Sequence, residues 1–132
     1  MPKAPSFSKS VASLRKAALA YPETQEDHPW GESAFKVRGK VFLFLSEGET
    51  ALSLSMKLPQ SKEFALIMPF AKPTAYGLGR SGWVTSTFGP GEFVPMPLLL
   101  DWLEESFHAV APKRVAASLA QKPGPGPARS RR

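Results

Sequence analysis

Residues 34–58, AFKVRGKVFLFLSEGETALSLSMKL, decide the fold class of this chain. Two runs rich in β-branched and aromatic residues flank Arg38-Gly39, and an X-Gly pair between such runs favours a two-residue hairpin. After a turn at residues 47–50, ALSLSMKL alternates strictly, with four apolar side chains on one face and two serines and a lysine on the other. The stretch therefore predicts three antiparallel strands with an apolar face.

Helices are predicted on both sides of these strands. Apolar residues at helical spacing predict helices over 8–20, 61–68, 97–111 and 113–121, and an alternating pattern predicts a further strand over 83–88. Residues 24–33 and 70–73 are interpreted as loops. The order α-β-β-β-α-β-α-α predicts an α+β fold, a two-layer sandwich of an antiparallel sheet with helices packed on one face.

Composition limits the function classes. The chain has 132 residues, 42% of them hydrophobic, so we expect one domain with a packed core. It contains no cysteine, which excludes disulfides, thiolate metal sites and a cysteine nucleophile. We find no apolar run long enough for a membrane span, and MPKAPSFSKS at the start lacks the apolar region of a signal peptide. We expect a soluble cytoplasmic protein.

Positive charge is concentrated at the C terminus. The formal net charge is +6, and residues 122–132 contribute four basic side chains, Lys122, Arg129, Arg131 and Arg132, with no acidic one. Prolines and glycines disfavour regular structure there, so we predict a disordered basic tail over residues 121–132, one domain over residues 8–120 and an N-terminal extension over residues 1–7. The tail either contacts phosphates through counterion release or is an incidental solubilising extension.

Residues 77–82, GLGRSG, match the G-x-G-x-x-G pattern of dinucleotide-binding loops. Such loops need a helix directly after the glycines, because its N-terminus receives the pyrophosphate. Here WVTSTF follows and predicts a strand, so we expect no nucleotide cofactor. The glycines instead form a turn that aims Trp83 at the core. Within it, Arg80 either helps the backbone amides to bind an anion or is simply solvated.

A second basic cluster is formed by Lys36, Arg38 and Lys40. On one continuous strand these side chains share a face beside aromatic residues, as in single-strand binding platforms. In a hairpin, Lys36 and Lys40 lie on opposite faces and Arg38 occupies the tip, giving a protruding basic wing. We favour the hairpin, where the charges also protect an apolar strand from aggregation. Lys113 and Arg114 follow the long helix, whose C-terminal dipole suits them.

Catalytic and metal-binding constellations are absent from the sequence pattern. His28 has adjacent acidic residues, but neighbouring side chains point in different directions, and His108 lies on a helix; we expect neither a metal site nor an enzyme. Most aromatic residues are assigned to the core. Trp30, in a polar loop, and Trp83 are the candidates for a stacking or ligand contact.

Several segments together resemble the YjbR/MmcQ family. These are HPWGESAFKVRGKVF (28–42), SLSMKLP (53–59), GRSGWV (79–84), EESF (104–107) and APKR (111–114), and the resemblance extends over about residues 8–120. It implies a fold similar to the frataxin/CyaY arrangement and the label "DNA-binding", which rests on fold resemblance. The predicted first helix has no acidic residue, so iron donation is not carried over.

The favoured hypothesis is thus a non-catalytic protein that contacts nucleic acid, such as DNA, with little sequence specificity. Its candidate binding residues are Lys36, Arg38, Lys40, Arg80, Lys113 and Arg114, assisted by the basic tail. The alternative is a protein-interaction or small-ligand module with its site beside Trp30 and Trp83.

Overall fold

A computed structural model describes residues 7–28, 32–48, 50–75 and 77–121 of the chain. In chain order its elements are α1 (Ser8–Leu19), β1 (Thr24–Asp27), β2 (Ser33–Val37), β3 (Lys40–Glu47), β4 (Leu52–Lys57), α2 (Lys62–Ala65), β5 (Ala71–Pro73), a 3₁₀ turn (Leu78–Ser81), β6 (Trp83–Phe88), α3 (Met96–Val110) and α4 (Lys113–Gln121).

The strands form one antiparallel sheet in the order β1-β2-β3-β4-β6-β5. Helix α3 packs on β3 and β4 at the centre of the sheet, and α1 packs on β1 and β3. We call the side of the sheet that these helices cover the helix face. The predicted α+β class, an antiparallel sheet with helices packed on it, is confirmed.

The core follows from the alternation and the helical spacing in the sequence. On β4, Leu52, Leu54 and Met56 point to the helix face and are at most 1% exposed. The α3 stripe that contains Leu99, Leu103 and Phe107 is fully buried against them. Burying one such side chain contributes about 1.5–3 kcal/mol, so this interface holds α3 on the sheet.

The opposite face of the sheet, which we call the outer face, is more polar. Cross-strand pairing aligns Phe44, Ser55 and Thr85 there, and the Ser55 and Thr85 hydroxyls lie 2.7 Å apart. The ring of Trp83 packs beside Phe44 on this face, with their centroids 5.6 Å apart. Trp83 is therefore only 7% exposed although its ring packs on the outer face.

Two strands occupy segments that the sequence analysis interpreted as loops. β1 (Thr24–Asp27) pairs with β2, and β5 (Ala71–Pro73) pairs with β6, so each is an edge of the sheet. β1 has the sequence TQED, and its side chains alternate between half-buried and exposed. Edge strands contribute few side chains to a core, and their composition consequently lacks the apolar signal on which the prediction relied.

The predicted hairpin at Arg38-Gly39 is confirmed. Val37 pairs with Lys40, and both turn residues have positive φ, 52° at Arg38 and 83° at Gly39. Two consecutive residues in this region are the signature of the type I′ turn that matches the twist of paired strands. A bulge lies next to this turn, because the register between β2 and β3 shifts after Phe35.

The ends of the described part of the chain bear on the predicted boundaries. Phe7, which the sequence analysis assigned to an N-terminal extension, is 6% exposed and belongs to the core. Helix α4 ends at Gln121, and the basic residues of the tail lie outside the described residues. The tail's predicted disorder stays a prediction.

Candidate functional site

Antiparallel pairing brings most of the predicted site residues to one end of the sheet. There β2 ends, β3 begins, β4 ends and β6 begins. We call this the hairpin end. It carries Arg38 at the turn tip, Lys40 at the start of β3 and Arg80 just before β6.

Helix α3 brings a further pair of basic residues to the hairpin end. Its N-terminal half lies at the other end of the sheet, where Trp102 contacts Phe70, whose ring packs on Phe88. Its C-terminal half reaches Lys57 through Ser106. Lys113 and Arg114 follow within four residues of the end of α3, and both are exposed.

Of the three basic residues in the hairpin cluster, Lys36 and Arg38 form ion pairs with acidic side chains, and Lys40 does not within the described residues. Lys36 lies 2.9 Å from the Asp27 carboxylate, and Arg38 bonds the Glu23 carboxylate. Both pairs are at least partly solvent-exposed, and such pairs contribute only about 0–1 kcal/mol, so their cations remain exchangeable for another anion. Lys40 pairs with Val37 and shares its face of the sheet, whereas Lys36, the neighbour of Val37, points to the other face. Lys36 and Lys40 therefore lie on opposite faces, as the hairpin interpretation predicted.

Lys40 and Lys57 differ from the hairpin pairs. Within the described residues, neither ammonium group has an acidic side chain at ion-pair distance. Lys57 is not among the site residues predicted from the sequence. Its position at the polar end of an alternating strand is visible in the sequence, but its place beside Trp83 depends on the pairing of β4 with the distant β6.

The glycine-rich segment forms a 3₁₀ turn with Gly77 and Gly82 at positive φ on either side. Strand β6 follows it, as expected, so the segment lacks the helix of a dinucleotide-binding loop. The amides of Leu78, Gly79 and Arg80 donate to backbone carbonyls of the same segment. They are therefore not free to form an anion-binding nest, and what the turn offers a ligand is the exposed Arg80 side chain.

The sheet opens between β3 and β4 at the hairpin end. Their paired residues run from Glu47 and Leu52 to Phe44 and Ser55. Beyond them, the Ser106 hydroxyl of α3 donates to the Phe42 carbonyl at 2.6 Å and accepts from the Lys57 amide at 2.8 Å. One side-chain hydroxyl thus provides partners for two backbone groups that do not pair across the strands.

A depression of about 220 Å³ lies at this opening. It is lined by Lys40, Val41, Lys57, Trp83, Ala109 and Val110. The lining combines two cationic side chains with an apolar surface and contains no acidic residue. Trp83 is thus the candidate aromatic residue that borders a cavity, while Trp30 lies outside the described residues.

An acidic groove adjoins the depression across Ala109. It has a volume of about 460 Å³ and is lined by Pro59, Gln60, Asp101, Glu104, Glu105, His108 and Ala109. Glu105 has a structural role there, because its carboxylate accepts bonds from the amides of Gln60 and Ser61 and from the Ser61 hydroxyl. The groove bounds the positive surface of the hairpin end on one side.

A separate charged network joins α1 to the sheet. Arg15 donates to both oxygens of Glu26, and the Ser33 hydroxyl donates to the same carboxylate at 2.9 Å. The Arg15 hydrogen bond is the main cause that lowers the pKa of Glu26, against the opposing effect of burial. His28 lies 3.5 Å from Glu26, but the described residues contain no group of three or more potential ligands placed to hold a metal ion.

Comparisons with known proteins place the chain among relatives. A family model described as YjbR matches residues 19–109. A crystal structure of a Pseudomonas syringae protein, from the Northeast Structural Genomics Consortium, is 18% identical, with a TM-score of 0.56 over 75% of this chain and 97% of that one. At this identity the likeness concerns the fold alone. A search of curated proteins found no match. None of the described helices is long and apolar enough to cross a membrane.

Proposed function

The chain belongs to the YjbR family, and we propose that it is a non-catalytic cytoplasmic protein that binds nucleic acid through phosphate groups at the hairpin end. The proposal concerns charge-driven binding with little sequence specificity. Lysine and arginine side chains that neutralise phosphates release condensed counterions, and this release provides affinity without reading bases.

The observation that carries the proposal is the convergence of basic side chains from separate segments. Arg38 and Lys40 come from the β2–β3 hairpin, Lys57 from β4 and Arg80 from the 3₁₀ turn. Lys113 and Arg114 come from the start of α4. Segments far apart in sequence thus supply one sign of charge to one end of the sheet, and a polyanion can contact several of these side chains at once.

Acidic residues set the borders of this surface. Glu23 holds Arg38 on the β1 side, and the acidic groove along α3 lies beyond Ala109. The phosphate backbone therefore avoids the acidic groove along α3. It follows the β2–β3 hairpin, the opening between β3 and β4, and the 3₁₀ turn. This leaves room for a few phosphate contacts, and we expect modest affinity.

The test is fluorescence anisotropy with labelled 20-nucleotide single strands and 20-base-pair duplexes at about 50 and 200 mM salt. If four phosphates of a duplex are neutralised, affinity falls roughly 100-fold between these concentrations. Lys40→Ala and Arg80→Ala are each expected to weaken binding to all sequences and to reduce the salt slope by about 1.

Lys9→Ala is the matched control for these variants. It removes the same charge from an exposed position in the first turn of α1 and should leave both affinity and slope unchanged. Absence of binding at about 50 mM salt would overturn the proposal. Equal effects of Lys9→Ala and Lys40→Ala would also count against it, because they would indicate attraction to net charge rather than to a site.

A protein-interaction module is the second candidate function. Phe64, Ile67 and Phe93 are 53%, 77% and 81% exposed, and large apolar side chains at this exposure favour contact with another protein. Sedimentation velocity of the wild type and of Ile67→Ser distinguishes the two candidates. Loss of self-association or of a co-purified partner in Ile67→Ser, with nucleic-acid binding absent, would favour the second.

A further inference from the structure

The depression between β3 and β4 has a lining that the phosphate contacts alone do not explain. A backbone-binding surface needs exposed cations, whereas four of the six residues that line the depression are apolar or aromatic: Val41, Trp83, Ala109 and Val110. Lys40 and Lys57 stand among these apolar groups. The combination suits a ligand with a flat, weakly polar body and an attached negative charge.

The size of the depression restricts that ligand. At about 220 Å³ it is smaller than the roughly 300–1,000 Å³ of pockets that hold drug-sized molecules. A single nucleobase fits this scale, while a dinucleotide cofactor exceeds it. The two lysines are the cations closest to such a base and have no acidic partners within the described residues.

The position of the depression also restricts which ligand can bind there. The depression is recessed at the opening of the sheet, between a strand and the last turn of α3. A base inside a duplex is stacked and paired, so it enters such a recess only after it leaves the stack. A base of a single strand enters without that cost. The geometry therefore separates single strands from duplexes.

We propose that the depression holds one unpaired nucleotide, with its base against the apolar lining and its phosphates at Lys40 and Lys57. This inference rests on the proposed function and specifies it, since it assigns a preference for single strands to the same surface. The lining offers no hydrogen-bond acceptor side chain for reading a base edge. The two lysines, which are the charged donors of the lining, are engaged by the phosphates, so the preference is for an unpaired base rather than for a sequence.

Ala109→Leu tests this inference by filling the depression without changing charge. Ala109 is exposed on α3, and leucine has a high helix propensity, so the helix tolerates the change. Binding of a 20-nucleotide oligothymidylate should weaken roughly tenfold, in line with the loss of one base contact. Binding of a 20-base-pair duplex should remain as in the wild type.

Ala12→Leu is the matched control, because Ala12 is exposed on α1 and lies outside the depression. It should leave both ligands bound as in the wild type. A Lys40→Ala/Lys57→Ala variant should weaken both the single strand and the duplex. In a ¹⁵N-labelled protein, thymidine monophosphate at millimolar concentration should shift the Trp83 indole resonance, assigned through Trp83→Phe, and should fail to do so in Ala109→Leu.

The outcomes separate this inference from the function on which it rests. Unchanged oligothymidylate binding by Ala109→Leu, with both ligands weakened in the double lysine variant, would overturn the base site and leave the phosphate surface. Absence of binding to both nucleic acids would overturn the function itself. A Trp83 shift with thymidine monophosphate in that case would retain a nucleotide site and overturn its role in strand binding.

Discussion

Glu26 is the residue at which the electrostatics of the fold are most sharply defined. Its side chain is 15% exposed, and its carboxylate accepts hydrogen bonds from Arg15 and Ser33, which tie α1 to the edge of the sheet. The hydrogen bond from Arg15 lowers its pKa below the ordinary 4.5. Because the folded-state pKa is depressed, the charged carboxylate stabilises the fold above about pH 4.5. This contribution is lost as the pH falls through the folded-state pKa.

Glu26→Gln is therefore expected to lower the free energy of unfolding at pH 7, while the difference from the wild type shrinks below pH 4.5. Urea unfolding at pH 7, 4.5 and 3.5 measures this difference. Glu63→Gln, at an exposed position of α2, serves as the control and should change little at any of the three. If the difference in unfolding free energy between Glu26→Gln and the wild type stayed constant with pH, the lowered pKa of Glu26 would be contradicted.

Among the secondary-structure elements, the β2–β3 hairpin has a basic residue, Arg38, in a backbone conformation that is unfavourable for arginine. Arg38 is held at φ 52°, in a region that asparagine and glycine occupy more readily than arginine. The tip is exposed and its ion pair with Glu23 lies at the surface. The stability of the turn and its charge are therefore separable by substitution.

Arg38→Asn should raise the free energy of unfolding by about 0.5 kcal/mol, because the turn conformation suits asparagine better. The same variant should weaken nucleic-acid binding, since it removes a cation from the hairpin end. Arg38→Lys keeps the charge and is the control for both measurements. Urea unfolding and anisotropy on the same samples measure both effects. Destabilisation of Arg38→Asn by more than the roughly 1 kcal/mol that loss of the exposed pair with Glu23 can cost would refute the conformational argument.

Elements were predictable from the sequence where their signals are local. The alternation through Leu52, Leu54 and Met56 and the Arg38-Gly39 turn each lie within a few residues, and both predictions are confirmed. β1 escaped prediction because TQED carries the polar pattern of an edge. The depression was not predictable because Lys57 and Trp83, which are 26 positions apart in the chain, are brought together only by the pairing of β4 with β6. Such non-local contacts leave no mark in either segment taken alone.

On the scale of the whole molecule, charge is divided between the hairpin end and the C-terminal tail. The tail holds Lys122, Arg129, Arg131 and Arg132, four of the 17 basic residues. In the proposed function both regions contact phosphate, but the tail segment KPGPGPARSRR lacks aromatic side chains. Its contribution should therefore be electrostatic and depend on salt, with no base stacking that would favour a single strand.

Replacing the four tail cations by alanine in the full-length chain should lower affinity for both single strands and duplexes. The salt slope should fall by up to about 3.6 on duplexes and about 2.8 on single strands. The preference for single strands should remain. Anisotropy at about 50 and 200 mM salt measures both quantities. Loss of the preference for single strands in this variant would move the base-binding site from the sheet to the tail.

The Ser106 bridge has a consequence for how motions of the protein are coupled. At the hairpin end, β3 and β4 are joined through a hydroxyl of α3 instead of through each other's backbone. The Lys57 amide therefore loses its acceptor if α3 leaves the sheet, even while the Phe44–Ser55 pair of the ladder stays closed. Hydrogen exchange at this one amide is expected to report whether α3 is docked on the sheet.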